Sequence, residues 1–417
     1  MLYNAVRSAG LSILRTLFYW NQKKRNFFKK RLTQRFDDLP AGPYIWIHCA
    51  SVGEINLSDA LIRLFLEKRS ERILLTCITD AGMAQAIEKY RKEARILLRY
   101  FPIDDKKQIG AALSKCESCL LVLVETELWP NLIRSVHRMP KGGVVLVNGR
   151  ISDKSFGRYR LIRFFLKHFL SEIDAFYMQS EEDAGRVIEL GAAPEAVLSM
   201  GNLKFDIRRE PVPEEVQSRF RNILKPAGRK IFVAGSTRTG ENEILLEALK
   251  KLPNTLLVIA PRHIENSVRI DELIRSRGFT CKRFSRLEEI WKNTDPVDVV
   301  LVDSIGKLKI LYSLCDLAFV GGTLVNIGGH SLLEPLCYNK TPVFGPYLQN
   351  VRDISGEILR RDIGFLVKNA DELVLAAQKI LARDEASVKA AVDAFFEAHR
   401  DVASRTLRHL EQSGRLN

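Results

Sequence analysis

The sequence has no long apolar run, and several familiar signatures are missing from it. Arg7 and Arg15 interrupt the apolar residues near the N-terminus, so no stretch reaches the roughly 20 apolar residues that a membrane-spanning helix needs. No small-residue cleavage site follows an apolar stretch, which disfavours a secretory signal peptide. GxGxxG and GxxxxGK(S/T) patterns are both missing, which disfavours a dehydrogenase-type dinucleotide fold and a P-loop.

Cysteine is also scarce. The chain has seven cysteines in 417 residues, and Cys49, Cys77 and Cys315 fall inside apolar runs, where buried thiols are expected. Cys116 and Cys119 form one CxxC pair, but no second Cys or His pair lies at zinc-finger spacing, so we interpret them as core thiols. The pattern indicates a reducing compartment.

The residues that are present predict two folded domains. Hydrophobic residues make up 46% and charged residues 27% of the chain, which is typical of a globular protein. Short apolar runs alternate with helical stretches and predict buried parallel strands; these runs are 44–49, 72–78, 119–124, 143–147, 231–235, 255–260, 298–302, 317–322 and 341–345. The predicted fold is α/β, with two Rossmann-like domains facing a cleft.

The predicted organisation has five parts. They are a basic amphipathic segment (1–36), an N-terminal Rossmann-like domain (37–208), an interdomain linker (209–227), a C-terminal Rossmann-like domain (228–385) and a helical tail (386–417), for which packing back on the N-terminal domain is one option.

The net charge of +14 is concentrated at the N-terminus. Residues 1–36 contain nine basic residues and no acidic one: Arg7, Arg15, Lys23, Lys24, Arg25, Lys29, Lys30, Arg31 and Arg35. Together with interfacial aromatic residues they predict a segment that lies on an anionic membrane surface. A basic surface helix and a nucleic-acid-binding arm are the alternatives, although no recognised nucleic-acid module is present. Residues 158–170 also interleave basic and aromatic residues, and they are either a basic and apolar rim near the predicted cleft or an amphipathic core helix.

Polar residues collect directly after the predicted strands, where ligands bind in doubly wound sheets. Residues 321–335 end a strand, cross a loop with four glycines and are predicted to open a helix, so their backbone N–H groups and the helix N-terminus predict a phosphate site. Glu334 falls in the first turn of that helix. Its carboxylate either accepts hydrogen bonds from ribose hydroxyls or only interacts favourably with the helix dipole. Ser236 and Thr237 are predicted to begin another helix, with Glu241 near its first turn. This group of residues is either a second anion-binding site or a helix-capping arrangement.

Seven motifs together resemble those of the 3-deoxy-D-manno-octulosonic acid (Kdo) transferases. In chain order they are ASVGE at 50–54, ETELWPN at 125–131, QSEEDA at 179–184, GNLKFD at 201–206, AGST at 234–237, APRH at 260–263 and GGTLVNIGGHSLLEP at 321–335. The resemblance implies an inverting GT-B glycosyltransferase that moves one or more Kdo residues from CMP-Kdo to the lipid A precursor (lipid IVA) in lipopolysaccharide biosynthesis. It also implies a peripheral or N-terminally anchored enzyme at the cytoplasmic face of the bacterial inner membrane, working without a cofactor or metal ion.

The resemblance assigns roles by matching position. Glu54 is implied as the general base that deprotonates the acceptor hydroxyl. The acceptor-side residues it implies are Ser51, Gly53, Glu125, Glu127 and Arg150. The donor-side, CMP-binding residues it implies are Lys204, Ser236, Thr237, Arg262, His263, Gly321, Gly322, Thr323, Asn326, Gly328, Gly329 and Glu334.

Three positions depart from the family pattern, and other functions stay open. Ser331 stands where the family usually has Asn, Arg238 where it usually has His, and Tyr347 in place of a His. The alternatives are another GT-B protein that uses a UDP-sugar, a nucleotide-sugar epimerase, or a non-enzymatic basic protein that binds membranes or nucleic acid. The expected partners are CMP-Kdo, the lipid A precursor and an anionic membrane surface, without nucleic acid.

Overall fold

The chain folds into two compact units. A computed structural model describes residues 3, 4, 7, 22–207, 209–224, 228–286 and 297–414. Unit 1 is formed by Met1–Asp206 and His399–Asn417, and unit 2 by Ile207–Ala398.

Unit 1 is built on a seven-stranded parallel sheet with the order β3-β2-β1-β4-β5-β6-β7. Its strands are β1 (Gly42–Cys49), β2 (Arg72–Cys77), β3 (Ile96–Tyr100), β4 (Cys116–Val124), β5 (Gly142–Gly149), β6 (Ala175–Met178) and β7 (Val197–Ser199). Its helices are α1 (Gln22–Leu32), α2 (Val52–Leu57), α3 (Asp59–Lys68), α4 (Asp80–Tyr90), α5 (Lys106–Leu113), α6 (Pro130–His137), α7 (Asp153–Leu161), α8 (Arg163–Leu170) and α9 (Glu181–Leu190).

Unit 2 repeats this architecture with the strand order β10-β11-β9-β8-β12-β13-β14. Its strands are β8 (Lys230–Thr237), β9 (Thr255–Pro261), β10 (Cys281–Arg283), β11 (Val299–Leu301), β12 (Leu317–Val320), β13 (Pro342–Phe344) and β14 (Phe365–Leu366). The helices that follow α9 in the chain are α10 (Glu214–Leu224), α11 (Glu241–Lys250), α12 (Ser267–Ser276), α13 (Leu308–Leu314), α14 (Leu333–Leu336), α15 (Arg352–Arg360), α16 (Ala370–Leu381), α17 (Glu385–His399) and α18 (Val402–Gln412).

Alternation along the central strands explains why each sheet is covered on both faces. In β1, Ile45 and Ile47 belong to the core on one face of the sheet, while Tyr44 and Trp46 belong to the core on the other. Successive side chains of a strand point to opposite faces, so an unbroken apolar run can fill both layers. The predicted two-domain α/β fold with parallel strands is confirmed, and the strands that were not predicted are β3, β6, β7, β10 and β14.

The observed units divide two of the predicted parts differently. The predicted linker 209–227 contains α10, which belongs to unit 2 and packs against α13. The predicted tail 386–417 is split, because most of α17 belongs to unit 2 and α18 belongs to unit 1. Asp206 helps to hold α18, since its carboxylate accepts the backbone N–H groups of Val402 and Ala403 at the start of that helix.

Part of the N-terminal basic cluster is used inside unit 1. Arg31 is wholly buried and donates to the carbonyl oxygens of Ile78 at 2.5 Å and Phe27 at 2.6 Å. Its guanidinium lies over the rings of Phe27 and Tyr100. The prediction that Arg31 faces a membrane is therefore wrong, because its donors bind the protein's own backbone.

Three other residues of the cluster form ion pairs within unit 1. Arg7 pairs with Asp105, Lys30 with Asp80 and Arg35 with Asp37. Arg15 and the apolar residues 11–20 lie outside the described residues, so the membrane segment stays a prediction there. None of the helices in the described ranges combines the length and the apolar composition needed to cross a membrane.

We expect Arg31→Met to destabilise unit 1. The substitution keeps a long apolar side chain but leaves the Ile78 carbonyl oxygen without its donor, at a cost of about 1–3 kcal/mol. Thermal unfolding followed by circular dichroism measures the change. Lys29→Met, at an exposed position of the same helix, is the matched control. Equal melting temperatures for the two variants would contradict the conclusion that the hydrogen bonds of Arg31 stabilise unit 1.

Candidate functional site

Each sheet has one point at which the chain connections diverge to opposite sides, and most of the predicted site residues follow the strands that flank this point. In unit 1 this switch point lies between β1 and β4, and in unit 2 it lies between β8 and β12. Ligands of open α/β sheets bind at the carboxyl ends of the strands at such points.

In unit 1, Glu54 lies in the first turn of α2, the helix that follows β1. Ser51 caps α2, and its Oγ donates to Glu54 Oε1 at 3.0 Å while accepting the Glu54 backbone N–H. The Ala50 N–H donates to Glu54 Oε2 at 2.6 Å. This reciprocal capping arrangement fixes the carboxylate. Each oxygen receives one of these bonds, and a carboxylate oxygen has a second lone pair.

The environment of Glu54 favours a proton on its carboxyl group. The side chain is only 7% exposed, and burial raises its pKa to about 7, with the charges of Glu125 and Glu127 adding to the increase against the opposing hydrogen bonds from Ala50 and Ser51. Burial penalises the charged form of a carboxyl group, and like charges nearby add to the penalty. A carboxylate with a pKa near the working pH has the properties of a general base.

The ETELWPN segment lies at the end of β4. Glu125 has a left-handed backbone with φ of 58°, which is uncommon outside glycine and is often found at functional sites. Burial raises the pKa of Glu127, whose Oε2 accepts the Trp129 Nε1–H at 3.1 Å. Trp129 packs on Phe101 with ring centroids 4.7 Å apart, so its ring packs against the core of unit 1.

The remaining predicted residues of unit 1 differ in how they are held. Gly53 is exposed in α2. The backbone of Arg150 is tied to Thr126, whose hydroxyl donates to the Arg150 carbonyl oxygen. The Lys204 N–H donates to Asn202 Oδ1 at 3.0 Å.

A network of polar side chains at the same edge of the sheet was not predicted from the sequence. Asn148, near the end of β5, accepts the Leu203 N–H on its Oδ1 and has a left-handed φ of 56°. Gln179 donates to the Asn148 carbonyl oxygen and accepts from Asn202 Nδ2. Position after a predicted strand was the available signal for Asn148, but position alone does not separate it from its neighbours.

In unit 2, Glu241 binds the glycine-rich loop. Its carboxylate is wholly buried and accepts the N–H groups of Gly322 at 2.8 Å, Thr323 at 3.0 Å and Leu324 at 2.9 Å. It also accepts the Arg238 N–H at 2.8 Å. A concave set of backbone N–H groups is an anion site, and here the anion is the chain's own side chain.

This arrangement corrects the predicted phosphate site. The N–H groups of Gly321, Gly322 and Thr323 bind Gly235 O or Glu241, and the Thr323 hydroxyl donates to Val320 O. The prediction that they cradle a phosphate is wrong, because these donors are already used within the chain. The helix after the loop, α14, has only four residues, so it offers little of the predicted helix dipole.

The glycines of this loop have a conformational reason instead. Gly322, Gly328 and Gly329 have φ values of 72°, 102° and 88°, a region that glycine adopts without steric cost. A Cβ on Gly321 would lie 2.4 Å from the Ser236 carbonyl oxygen. The glycines therefore let the loop pack directly on the end of β8.

The prediction that Ser236 and Thr237 begin a helix is wrong, because these two residues are the last of β8. The pairing of β8 with β9 shifts between Gly235 and Thr237, and Ser236 between them has a left-handed φ of 56°. Such a bulge re-aims the following side chain. The helix α11 begins only at Glu241.

A cluster of cationic and imidazole side chains lies beside this bulge. Arg238 donates from Nη1 to His263 Nε2 at 2.5 Å and from Nε to His330 Nε2 at 3.3 Å. Burial lowers the pKa of His330 to about 4, and the charges of Arg238 and Arg262 contribute. His330 is therefore neutral at pH 7, and the arginines give the cluster a positive charge that suits an anionic ligand. Arg238 and His330 were not among the predicted site residues.

The last predicted donor residues are accessible. Asn326 and Glu334 are both exposed, and Asn326 Oδ1 accepts from Gln349. Within the described ranges, no group of three or more His, Cys, Asp or Glu side chains is arranged to hold a metal ion.

Solved structures with similar folds define the class. HepE of Anabaena in complex with UDP and glucose aligns with a TM-score of 0.55 at 14% identity, covering 89% of this chain and 99% of HepE. The UDP-GlcNAc 2-epimerase of Neisseria meningitidis bound to UDP-GlcNAc aligns with a TM-score of 0.51 at 13% identity, covering 85% of this chain and 98% of the epimerase. These identities show the fold alone, which is the GT-B fold of two Rossmann-like units.

Sequence comparison defines the family. The family model described as 3-deoxy-D-manno-octulosonic-acid transferase matches residues 23–207. The 3-deoxy-D-manno-octulosonic acid transferase of Aquifex aeolicus is 34% identical over 342 residues, which are 81% of this chain and 86% of that protein. The chain belongs to this family of glycosyltransferases. A bifunctional glycosyltransferase/methyltransferase of Fusobacterium nucleatum is 47% identical over 96% of this chain, which spans 62% of that protein's length.

We expect Glu241→Gln to loosen the glycine-rich loop. The amide group would place donors against backbone N–H groups, and each unsatisfied buried donor costs about 1–3 kcal/mol. Thermal unfolding and hydrogen exchange of the amides at 322–324 measure the effect. Glu247→Gln, an exposed position of the same helix, is the control. Unchanged protection of these amides in Glu241→Gln would contradict the anchoring role.

Proposed function

We propose that this chain transfers Kdo, with inversion, from CMP-Kdo to the lipid A precursor in lipopolysaccharide biosynthesis. The observation that carries the proposal is Glu54, a carboxyl group fixed at the switch point of unit 1 with its pKa raised to about 7. Membership of the Kdo transferase family supports the choice of sugar.

The proposed reaction uses Glu54 as the base. An acceptor hydroxyl attacks the anomeric carbon of Kdo and forms the new C–O bond, while its proton passes to the Glu54 carboxylate. The bond between that carbon and the phosphate oxygen breaks, and CMP leaves with the electron pair. Glu125 and Glu127 assist by raising the pKa of the base, so that it accepts a proton more readily.

Unit 2 is proposed to bind the nucleotide. The negative charge on CMP increases as it leaves, and the positive charges of Arg238 and Arg262 stabilise it there. Glu334 is proposed as the acceptor for the ribose hydroxyls, and its exposure leaves it available for that contact.

A UDP-sugar transferase or an epimerase is the competing function, because the GT-B fold also occurs in such proteins. Inhibition by CMP and by UDP separates the possibilities. Mass spectrometry of lipid A precursor incubated with CMP-Kdo tests the proposal directly: a mass increase of one or more Kdo residues is expected, and its absence, with turnover of a UDP-sugar instead, would reject it.

We expect Glu54→Gln to lower kcat by about 10² to 10⁴-fold, since it keeps the shape but removes the base. CMP inhibition should stay unchanged, because the proposed nucleotide site is in unit 2. In the unsubstituted protein, kcat should fall as pH drops through about 7, where Glu54 becomes protonated.

The control separates catalysis from stability. A carboxyl group whose pKa is raised on folding stabilises the fold at low pH, and that stabilisation is lost as pH rises through the folded pKa. Glu54→Gln should therefore gain stability relative to the original protein between pH 5 and 8 while losing activity. Glu67→Gln, an exposed position in α3, should change neither. Near-normal kcat in Glu54→Gln would move the base to Glu125 or Glu127.

The surface of α7 and α8 supports attachment to an anionic membrane. Leu161 and Phe164 are each 87% exposed and Phe165 is 56% exposed, while Arg160 and Arg163 beside them are also exposed. No residue of α7 is fully buried, although Phe156 and Tyr159 of this helix pack against the core of unit 1. Exposed apolar side chains among basic ones suit the interface of an anionic bilayer.

We expect Leu161→Ser combined with Phe164→Ser to weaken binding to phosphatidylglycerol-containing vesicles by about a hundredfold or more, since the two buried apolar side chains together contribute about 3 kcal/mol or more. Vesicle co-sedimentation measures this. Leu375→Ser, at a 58% exposed position in unit 2, is the matched control. Equal binding by all three proteins would reject this membrane surface.

A further inference from the structure

A cavity of about 220 Å³ adjoins the cation cluster of unit 2. Thr237 at the end of β8, Asn242 in the first turn of α11, and Ile270 of α12 line it, and Arg238 and His263 belong to both the cavity and the cluster. Pockets for drug-sized ligands have volumes of about 300–1,000 Å³. The cavity is therefore of the size of one sugar and not of a whole nucleotide sugar.

Two buried polar atoms on side chains that line this cavity have no hydrogen-bond partner among the described residues. They are Thr237 Oγ1 and Asn242 Oδ1, on side chains that are only 2% and 3% exposed. Leaving a buried polar atom unsatisfied costs about 1–3 kcal/mol. Because two polar atoms beside one cavity both carry this free-energy cost, we infer that a ligand supplies the missing hydrogen-bond partners.

The backbone around these atoms is fixed. The bulge at Ser236, with its left-handed φ of 56°, sets the direction of Thr237. The four bonds accepted by Glu241 hold the first turn of α11, to which Asn242 belongs. The two polar groups are thus positioned before a ligand arrives, which reduces the entropy cost of binding.

The lining also indicates the charge of the ligand. Arg238 contributes a positive charge, and no described residue of the lining is acidic. Ile270 and Val325 supply apolar surface. A ligand with a carboxylate, several hydroxyl groups and a C–H-rich face complements all three features.

We propose that this cavity binds the acidic sugar of the donor, with its carboxylate towards Arg238 and its hydroxyl groups on Thr237 and Asn242. The proposal rests on the proposed function and assigns Asn242 as a residue that recognises the transferred sugar. The phosphate of the nucleotide then lies on the part of the cluster formed by Arg262 and His330.

Steady-state kinetics with CMP-Kdo and inhibition by CMP test the assignment. Asn242→Ala and Thr237→Val should each raise the donor KM by about tenfold, as expected for one lost hydrogen bond to the ligand. The inhibition constant of CMP, which lacks the sugar, should stay within about twofold. An equal loss of CMP affinity would overturn the proposal, because the cavity would then hold the nucleotide, and unchanged constants would overturn it as well.

Charge provides a second test at the same position. Asn242→Asp is isosteric but adds a carboxylate, so it should raise the donor KM at pH 8 more than Asn242→Ala does, through repulsion of an anionic sugar. A smaller effect than that of alanine would overturn the anionic assignment. Thr255→Val is the control for the fold: Thr255 is a buried threonine at the opposite end of β9, and its hydroxyl donates to Pro253 O.

A binding measurement separates this proposal from the proposed function. Free Kdo is titrated into the unsubstituted protein and into Asn242→Ala, and binding is followed by ligand-observed NMR, which needs no turnover. Binding that the substitution abolishes supports the cavity even if no transfer activity is found. No binding, or equal binding to both proteins, overturns the cavity assignment even if the chain transfers Kdo.

Discussion

In both sheets every strand runs in the same direction, and this constraint decides where polar side chains collect. Parallel strands need crossover helices on both faces, so the strands must be apolar throughout and cannot carry a site along their length. Polar residues are left to the carboxyl ends, and the connections diverge there at one point in each sheet. Glu54 follows β1 and Glu241 follows β8, which are the equivalent first strands of the two sheets.

These two buried glutamates have opposite surroundings and therefore different roles. Glu241 accepts four backbone N–H groups, which satisfy its negative charge and fix it as a structural anion. Glu54 accepts one N–H and one hydroxyl group and has the carboxylates of Glu125 and Glu127 nearby. Two donors do not offset its burial, so its charge is destabilised and it takes up a proton near neutral pH.

The basic residues divide in a similar way between structure and ligand. Arg31 is surrounded by carbonyl oxygens and aromatic rings and clamps α1 to the β2–α4 loop. Arg238 instead donates to two imidazole rings at the edge of a cavity. Its charge there remains available to an anion. Composition counts both arginines alike, and only their partners distinguish a clamp from a binding group.

The sequence by itself determined the α/β class, the long strands and the order of the motifs, because apolar runs and turn residues are local signals. It also placed Glu54, Arg262 and Glu334 after their strands. Only the tertiary structure decided which amides of the glycine loop are occupied, since Glu241 lies about 80 residues before that loop. The pairing of Arg31, the raised pKa of Glu54 and the unsatisfied Asn242 likewise depend on neighbours distant in the chain. Spacing along a sequence carries no record of burial or of such partners, and these set the chemistry of a side chain.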